Sequence, residues 1–266
     1  MASPSSFTQA TTDLLRGYAE APADVAILTA ALRMLGKWRS EMIANTVAQR
    51  AGSVVLSGPF KGMHYGVTAS EGARAARLLG CYEASLAPII AEIAAAPYEM
   101  VIDIGSAEGY YAVGLARLMP WVQVMARDEN PAAQEMCRAL AQRNQVGDRV
   151  QIGGRLGHRD LDLCLTQRSV IICDIEGAEA ALLDPDLAPG LSAADILVEC
   201  HEAMVPGVTA TLTARFAPSH HIRRLDRAVS DAVLPEWMAD WSDLDRLLAL
   251  WEWRSGPTPW LWMTRI

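Results

Sequence analysis

Four clusters hold most of the side chains in this chain that could do chemistry. They are Asp103-Ile104-Gly105-Ser106-Ala107-Glu108-Gly109, Asp128-Glu129, Asp174-Ile175-Glu176-Gly177-Ala178-Glu179 and Glu199-Cys200-His201-Glu202. Carboxylates at this density are costly to bring together unless a cationic or hydroxyl-rich ligand meets them. Asp174 could act as a general base if burial raises its pKa, and His201 offers another base or an orienting group. Each also has a plainer role. Glu176 and Glu179 stand where a helix N-terminus favours negative charge, and a lone His is as often structural as functional.

The glycine-rich cluster says which ligand to expect. Residues 101–104 read as a buried strand, 105–109 as a flexible turn, and an apolar helical pattern begins at Tyr110. Open α/β sheets bind ligands at this end of a strand. A dinucleotide fingerprint requires glycine at three positions, but Ala107 and Tyr110 occupy the second and third. Asp103 and Glu108 would repel a phosphate, whereas the sulfonium and ammonium of S-adenosylmethionine suit their field. Asp128 lies about 20 residues further on, where a ribose-binding carboxylate belongs, and Glu129 could share that role. No phosphate-binding G-x-x-x-x-G-K-[ST] loop occurs.

Composition narrows the class. The net charge of −8 argues against nucleic-acid binding. Residues 1–10 lack a basic start and an apolar core of a leader, and the apolar stretch 84–97 is too short to span a bilayer, so no membrane partner is expected. Five cysteines without paired spacing make a reduced, cytoplasmic protein the default.

The elements that must position these residues fall into two regions. Up to about residue 97 the pattern is mainly helical, with helices expected over 24–37 and 72–95 around a turn-rich loop at 57–66. From Tyr98 strands alternate with helices, the signature of a mostly parallel sheet. Strands are expected at 101–104, 121–126, 148–152, 169–174, 196–198, 220–225 and 260–264, and a helix at 131–143 starts with Asn130 as cap and Pro131 as first residue. A Trp- and Leu-rich insertion precedes the last strand. Its tryptophans fit packing, an apolar acceptor pocket or a dimer face.

Residues 101–111, Asp128-Glu129-Asn130-Pro131 and Asp174-Ile175-Glu176-Gly177-Ala178-Glu179 together resemble a class I S-adenosylmethionine-dependent methyltransferase of the FkbM type. The D-x-E-G-x-E element is the more discriminating part. The resemblance covers residues 98–205 with motifs and, more loosely, Gly58 to Tyr65 and Leu78 to Glu83. It implies an α/β, Rossmann-like, seven-stranded, mostly parallel sheet with an antiparallel last strand and helices on both faces. An N-terminal mainly helical cap would span 1–97, and the S-adenosylmethionine-binding domain 98–266, with an insertion near 228–256. The implied activity is methyl transfer to a hydroxyl of a small-molecule acceptor, a secondary metabolite or sugar. N-methylation of a small molecule or peptide, or a non-catalytic scaffold subunit, are the alternatives, and a homodimer is possible.

Carried over by position, Asp103, Gly105 and Gly109 border the methionine part of the cofactor, Asp128 the ribose, and Gly154 and Arg155 the adenine edge, with Ser106, Glu108 and Glu129 also counted as cofactor-binding. Lys61, His64, Tyr65, Tyr82 and Glu83 of the cap, with Glu176, would face the acceptor, the loop around His64 closing over the pocket. Asp174 or His201 would take the proton. The sequence departs from the pattern at Arg127, where an aromatic is usual, and at Ser106, where Ala is common. Asp174, Glu199 and His201 could hold a divalent cation, but only two carboxylates are in view and no metal is expected.

Overall fold

The structure, a computed structural model, describes residues 5–67, 72–230, 233–254 and 256–266; positions 231, 232 and 255 of the expected insertion and the first four of the N-terminal ten residues lie outside them. Seven strands form one sheet in the order β3-β2-β1-β4-β5-β7-β6. They are β1 (Met100–Ile104), β2 (Gln123–Arg127), β3 (Val150–Gly153), β4 (Ser169–Cys173), β5 (Asp195–Glu199), β6 (His220–Leu225) and β7 (Trp260–Arg265). The first five run parallel, and β7 is antiparallel to both β5 and β6. The expected fold class is therefore the observed one.

Side chains alternate across the sheet, as the pleat requires. Val101, Val170, Ile172 and Leu197 enter one apolar core, and Ile102, Ile104, Ile171, Ile196 and Val198 enter a second on the opposite face. Burial on both faces explains why β1 and β4 are apolar except at Asp103 and Ser169. The strand order reverses between β1 and β4, which opens a crevice at their carboxyl ends. α5 (Tyr110–Leu118) and α6 (Pro131–Arg143) cover the first face, and α7 (Glu179–Leu182) and α8 (Val208–Phe216) pack on the second. Asn130 caps α6 by accepting from the Ala132 amide, with Pro131 in the first turn.

The N-terminal region consists of α1 (Ser6–Glu20), α2 (Val25–Ala51), α3 (Arg74–Leu79) and α4 (Ala87–Ala95). Two expectations need correction. The helix expected at 24–37 continues to Ala51, where Gly52 ends it at φ +68°. The helix expected over 72–95 is two helices, because Gly80 turns the chain at φ +79° and a Cβ there would lie 2.0 Å from the Ser57 carbonyl oxygen. Residues 74–95 are long and apolar enough to cross a bilayer by composition. Divided at Gly80, they instead place Leu78, Leu79, Ile89, Ile90 and Ile93 in the first core, beside Phe60 and Tyr65. The N-terminal region thus packs continuously with the sheet's first face. Between β6 and β7, α9 (Asp243–Ala249) docks on α2, where Arg39 donates bidentately to Asp245.

Candidate active site

The glycine turn is held from below and from both sides. Gly105 stands at φ +80°, and a Cβ there would fall 1.6 Å from the carbonyl oxygen of Asp174, so only glycine lets β1's exit lie against β4's exit. Ala107 adopts φ +47°, a left-handed conformation costing an L-residue roughly 1–2 kcal/mol. Its amide donates to Asp128 Oδ2 at 2.9 Å, which offsets that strain. Gly109, at φ +91°, lets α5 approach α6: a Cβ would meet Cys137 Sγ at 2.5 Å. Ser106 is buried beside it.

Asp103 lies under α5, where the Ala112 amide bonds its carboxylate, while its Oδ2 is buried without a hydrogen-bond partner. Desolvation pushes its pKa up to about 7. At the end of β2, Asp128 Oδ1 accepts from the Asn130 amide at 2.7 Å, so each of its oxygens holds one amide. A carboxylate oxygen has a second lone pair, and these remain for ribose hydroxyls. A turn that only glycine permits, an orphaned buried carboxylate oxygen and a pre-oriented acid 21 residues from Ala107 fit a cationic, phosphate-free nucleoside such as S-adenosylmethionine.

Next to Asp174 lies a cavity of about 170 Å³, lined on the acidic side by Asp174, Glu176, Glu199 and Glu252 and closed by Tyr82, Trp253 and Met204. His201 projects into it from just beyond β5. Its Nδ1 lies 2.7 Å from Glu179 Oε1, and its Nε2 lies 3.3 Å from Glu176 Oε2, 3.6 Å from Asp174 Oδ1 and 3.9 Å from Glu199 Oε2. Burial alone would lower the imidazole pKa, but the Glu179 hydrogen bond and the fields of Glu199 and Glu176 outweigh it, so the net shift is upward. Burial likewise pushes Glu179 up, and the bonds from His201 and the Gly177 amide reverse it, holding that carboxyl below its usual range. Glu176 sits at φ +51°, aiming its carboxylate at the imidazole. Asp174, Glu176 and His201 each bring one ligand-capable atom within 4.8 Å of the others, the only such group among the described residues.

Two arginines alter the expected field. Arg77 Nε lies 3.2 Å from Glu108 Oε1, which also accepts from the Tyr65 hydroxyl at 2.5 Å, and its guanidinium stacks 4.1 Å over the Tyr82 ring. Arg254 bonds Glu83, Glu199, Glu252 and Thr258 together. Its own pKa is raised, because the carboxylates of Glu83 and Glu199 outweigh desolvation. Burial, with Glu199 adding to it, pushes Glu83 up to about 8.

The acids that end or follow the strands, Asp103, Asp128, Asp174 and Glu199, divide between two places. Asp174 and Glu199 share the cavity, Asp103 supports α5 from beneath, and Asp128 braces the turn. Glu108, expected beside the cofactor, is fully buried against Arg77 and Tyr65, so its charge is compensated inside the protein. Tyr65, expected to face the acceptor, is buried in that same pair. Glu83 turns to Arg254 and the Tyr111 hydroxyl. Lys61 and His64 are exposed, and the His64 backbone pairs with Asn144 beyond α6, so this loop is anchored to α6 and does not line the cavity. Of the five cap residues only Tyr82 lines it. Glu129 and Arg155 are exposed and 3.5 Å apart, near exposed Gly154, at the edge expected for adenine. Arg127 lies along Gly153 and donates to the Gln151 carbonyl.

Sequence reasoning missed Arg77, Arg254 and Glu252. Arg77 left a signal, a single cation inside the apolar run Ala75-Ala76-Arg77-Leu78-Leu79; a buried charge there needs a partner. Nothing local marked Arg254, whose partners lie as far as 171 positions away.

No family model and no curated protein matches the chain. Among solved structures, it is similar to an O-methyltransferase from Bacillus cereus in complex with SAH, at 14% identity and TM-score 0.45, covering 86% of this chain and 90% of that one. A Klebsiella pneumoniae structure, provisionally described as an O-methyltransferase, aligns at 13% identity and TM-score 0.46 over 96% of each chain. A precorrin-6y C5,15-methyltransferase from Geobacter metallireducens aligns at 11% identity and TM-score 0.42, covering 67% of this chain and 86% of that one.

Proposed function

We propose that the chain is an S-adenosylmethionine-dependent methyltransferase of the FkbM type, acting on a hydroxyl of a small molecule such as a secondary metabolite or sugar. Residues 1–97 serve as the acceptor-side cap and 98–266 as the cofactor-binding domain. The observation that carries this reading is the contact between Gly105 and the Asp174 carbonyl, where a Cβ would come within 1.6 Å. It makes the donor-binding turn and the wall of the acceptor cavity one piece of structure. Five buried, unpaired cysteines support a cytoplasmic setting, and the exposed Leu14, Val25, Leu28 and Leu32 of α1 and α2 support a homodimer.

Gly105, Ser106 and Gly109 would border the methionine portion of the cofactor, Asp103 would answer its positive charge through α5's first turn, and Asp128 would hold the ribose. The bound cofactor supplies a methyl group already activated as a sulfonium substituent. The chain's own work is orientation and exclusion of water. Tyr82, Trp253 and Met204 close the cavity over the acceptor. His201 Nε2 accepts the acceptor's hydroxyl proton, and Asp174 and Glu176, 3.6 and 3.3 Å from that nitrogen, stabilise the resulting imidazolium. An alcohol needs such a base while a neutral amine does not, so a base held in place favours O- over N-methylation.

Calorimetry on the purified chain with S-adenosylmethionine, its demethylated product and NAD tests the class. The first two should bind and NAD should not, and Asp128→Ala should weaken binding about 10- to 100-fold, the loss of hydrogen bonds to a charged acceptor. Folded protein that gives no heat with either sulfur nucleoside, or that binds NAD, would refute the reading.

A further inference from the structure

Glu179 is buried more completely than helix capping requires. It is the first residue of α7 (Glu179–Leu182), its side chain has no exposed surface, and its Oε1 accepts from the Gly177 amide at 3.0 Å and meets His201 Nδ1 at 2.7 Å. A capping carboxylate stays solvated at low cost, whereas one buried entirely needs a strong compensating partner. We propose that Glu179 is a positioning residue that fixes His201 in the tautomer protonated on Nδ1, leaving the Nε2 lone pair directed into the cavity.

The tautomer follows from which atoms can donate. Glu179 Oε1 can only accept, so Nδ1 must carry the proton, and the proton on one ring nitrogen sets the role of the other. The groups facing Nε2 come from each element around it: Asp174 and Glu176 from the exit of β4, and Glu199 from β5 with Arg254 on its far side. All three carboxylates lie at 3.3 Å or beyond, longer than the Nδ1 contact, so Glu179 dominates the ring's orientation. The upward shift of the imidazole accords with a carboxylate bonded to it.

The inference rests on His201 being the proton acceptor, yet it is read without turnover. Two-bond proton–nitrogen correlation spectra of the cofactor-free protein, labelled with ¹⁵N-histidine, are recorded at a pH where the imidazolium signal has vanished. Loss of one signal set in His201→Gln assigns the ring. Wild-type protein should show His201 protonated on Nδ1. Glu179→Gln should show the same tautomer, because the Gly177 amide must still find an acceptor and so turns the new amide's oxygen towards the ring. It should also move the Nδ1 proton upfield as the charge is lost. Glu179→Leu should give a mixture of tautomers. His220, whose Nε2 lies 2.9 Å from the Ala194 carbonyl oxygen, should stay protonated on Nε2 throughout and reports that the fold is intact. Wild-type His201 protonated on Nε2, or a Leu variant that keeps the Nδ1 form with His220 unchanged, would overturn the proposal. If the Leu variant does not fold, an Nδ1 proton that fails to move in Glu179→Gln overturns it equally. Failure of cofactor binding with the Nδ1 form intact would instead remove the methyltransferase reading and leave the Glu179 contact standing.

Discussion

Replacing Glu108 by Gln should cost the protein several degrees of thermal stability without changing the shape of the site. In the native structure the Glu108 carboxylate has no solvent exposure and the Arg77 side chain has 4%; the two are 3.2 Å apart, and the Tyr65 hydroxyl donates to the same oxygen. Gln keeps the volume and an acceptor for Tyr65, but removes the charge that compensates a guanidinium buried against Tyr82. Breaking a buried pair by neutralising one partner costs about 3–5 kcal/mol, because the remaining charge stays desolvated. Unfolding entropy of roughly 2.1 cal/mol/K per residue, taken over 266 residues, converts that into a fall in Tm of about 5–9 °C. Differential scanning calorimetry at fixed pH and salt measures it. The double variant Arg77→Met/Glu108→Leu removes both charges and should recover most of the loss. A single variant that melts within about 2 °C of wild type, or a double variant no more stable than the single, would show that the pair is not the compensated buried charge its geometry implies.

Gly105→Ala should unfold the crevice locally or abolish cofactor binding, since its Cβ would have to displace the Asp174 backbone from 1.6 Å at a φ of +80°; calorimetric titration with S-adenosylmethionine should show affinity weakened by about 100-fold or more, and near-native affinity would contradict the contact. The pH dependence of stability should carry the mark of Asp103, whose folded pKa of about 7 is raised above the ordinary 3.8 chiefly by desolvation. Its contribution is present in full below the unfolded pKa and is lost as pH rises through 7, by roughly 4 kcal/mol in all. Urea unfolding between those limits should show stability falling with pH in wild type and a flatter profile in Asp103→Asn; parallel profiles would refute the assignment.

The fold was legible because its signals are local and periodic. Apolar runs such as residues 170–173, alternating with helical patterns, mark a parallel sheet covered by helices on both faces, and Asn130-Pro131 starts a helix by capping chemistry that needs no tertiary context. Glycines 105 and 109 and the acid at Asp128 likewise carried their positions in their spacing, and the D-x-E-G-x-E segment stood out through the family resemblance. What the sequence could not determine was the compensation of charge. Whether Glu108 faces a ligand or an arginine depends on α3 bringing Arg77 beside the turn that precedes α5, and Arg254 reaches Glu83 and Glu199 from the segment between β6 and β7. The aromatic and basic loop at 57–66 looked like a lid, yet Asn144 fastens it to the end of α6. Electrostatic energy depends on distance through space and on burial, and neither is a property of neighbouring letters. Tertiary packing alone therefore decided which carboxylates brace the scaffold and which of them meet His201.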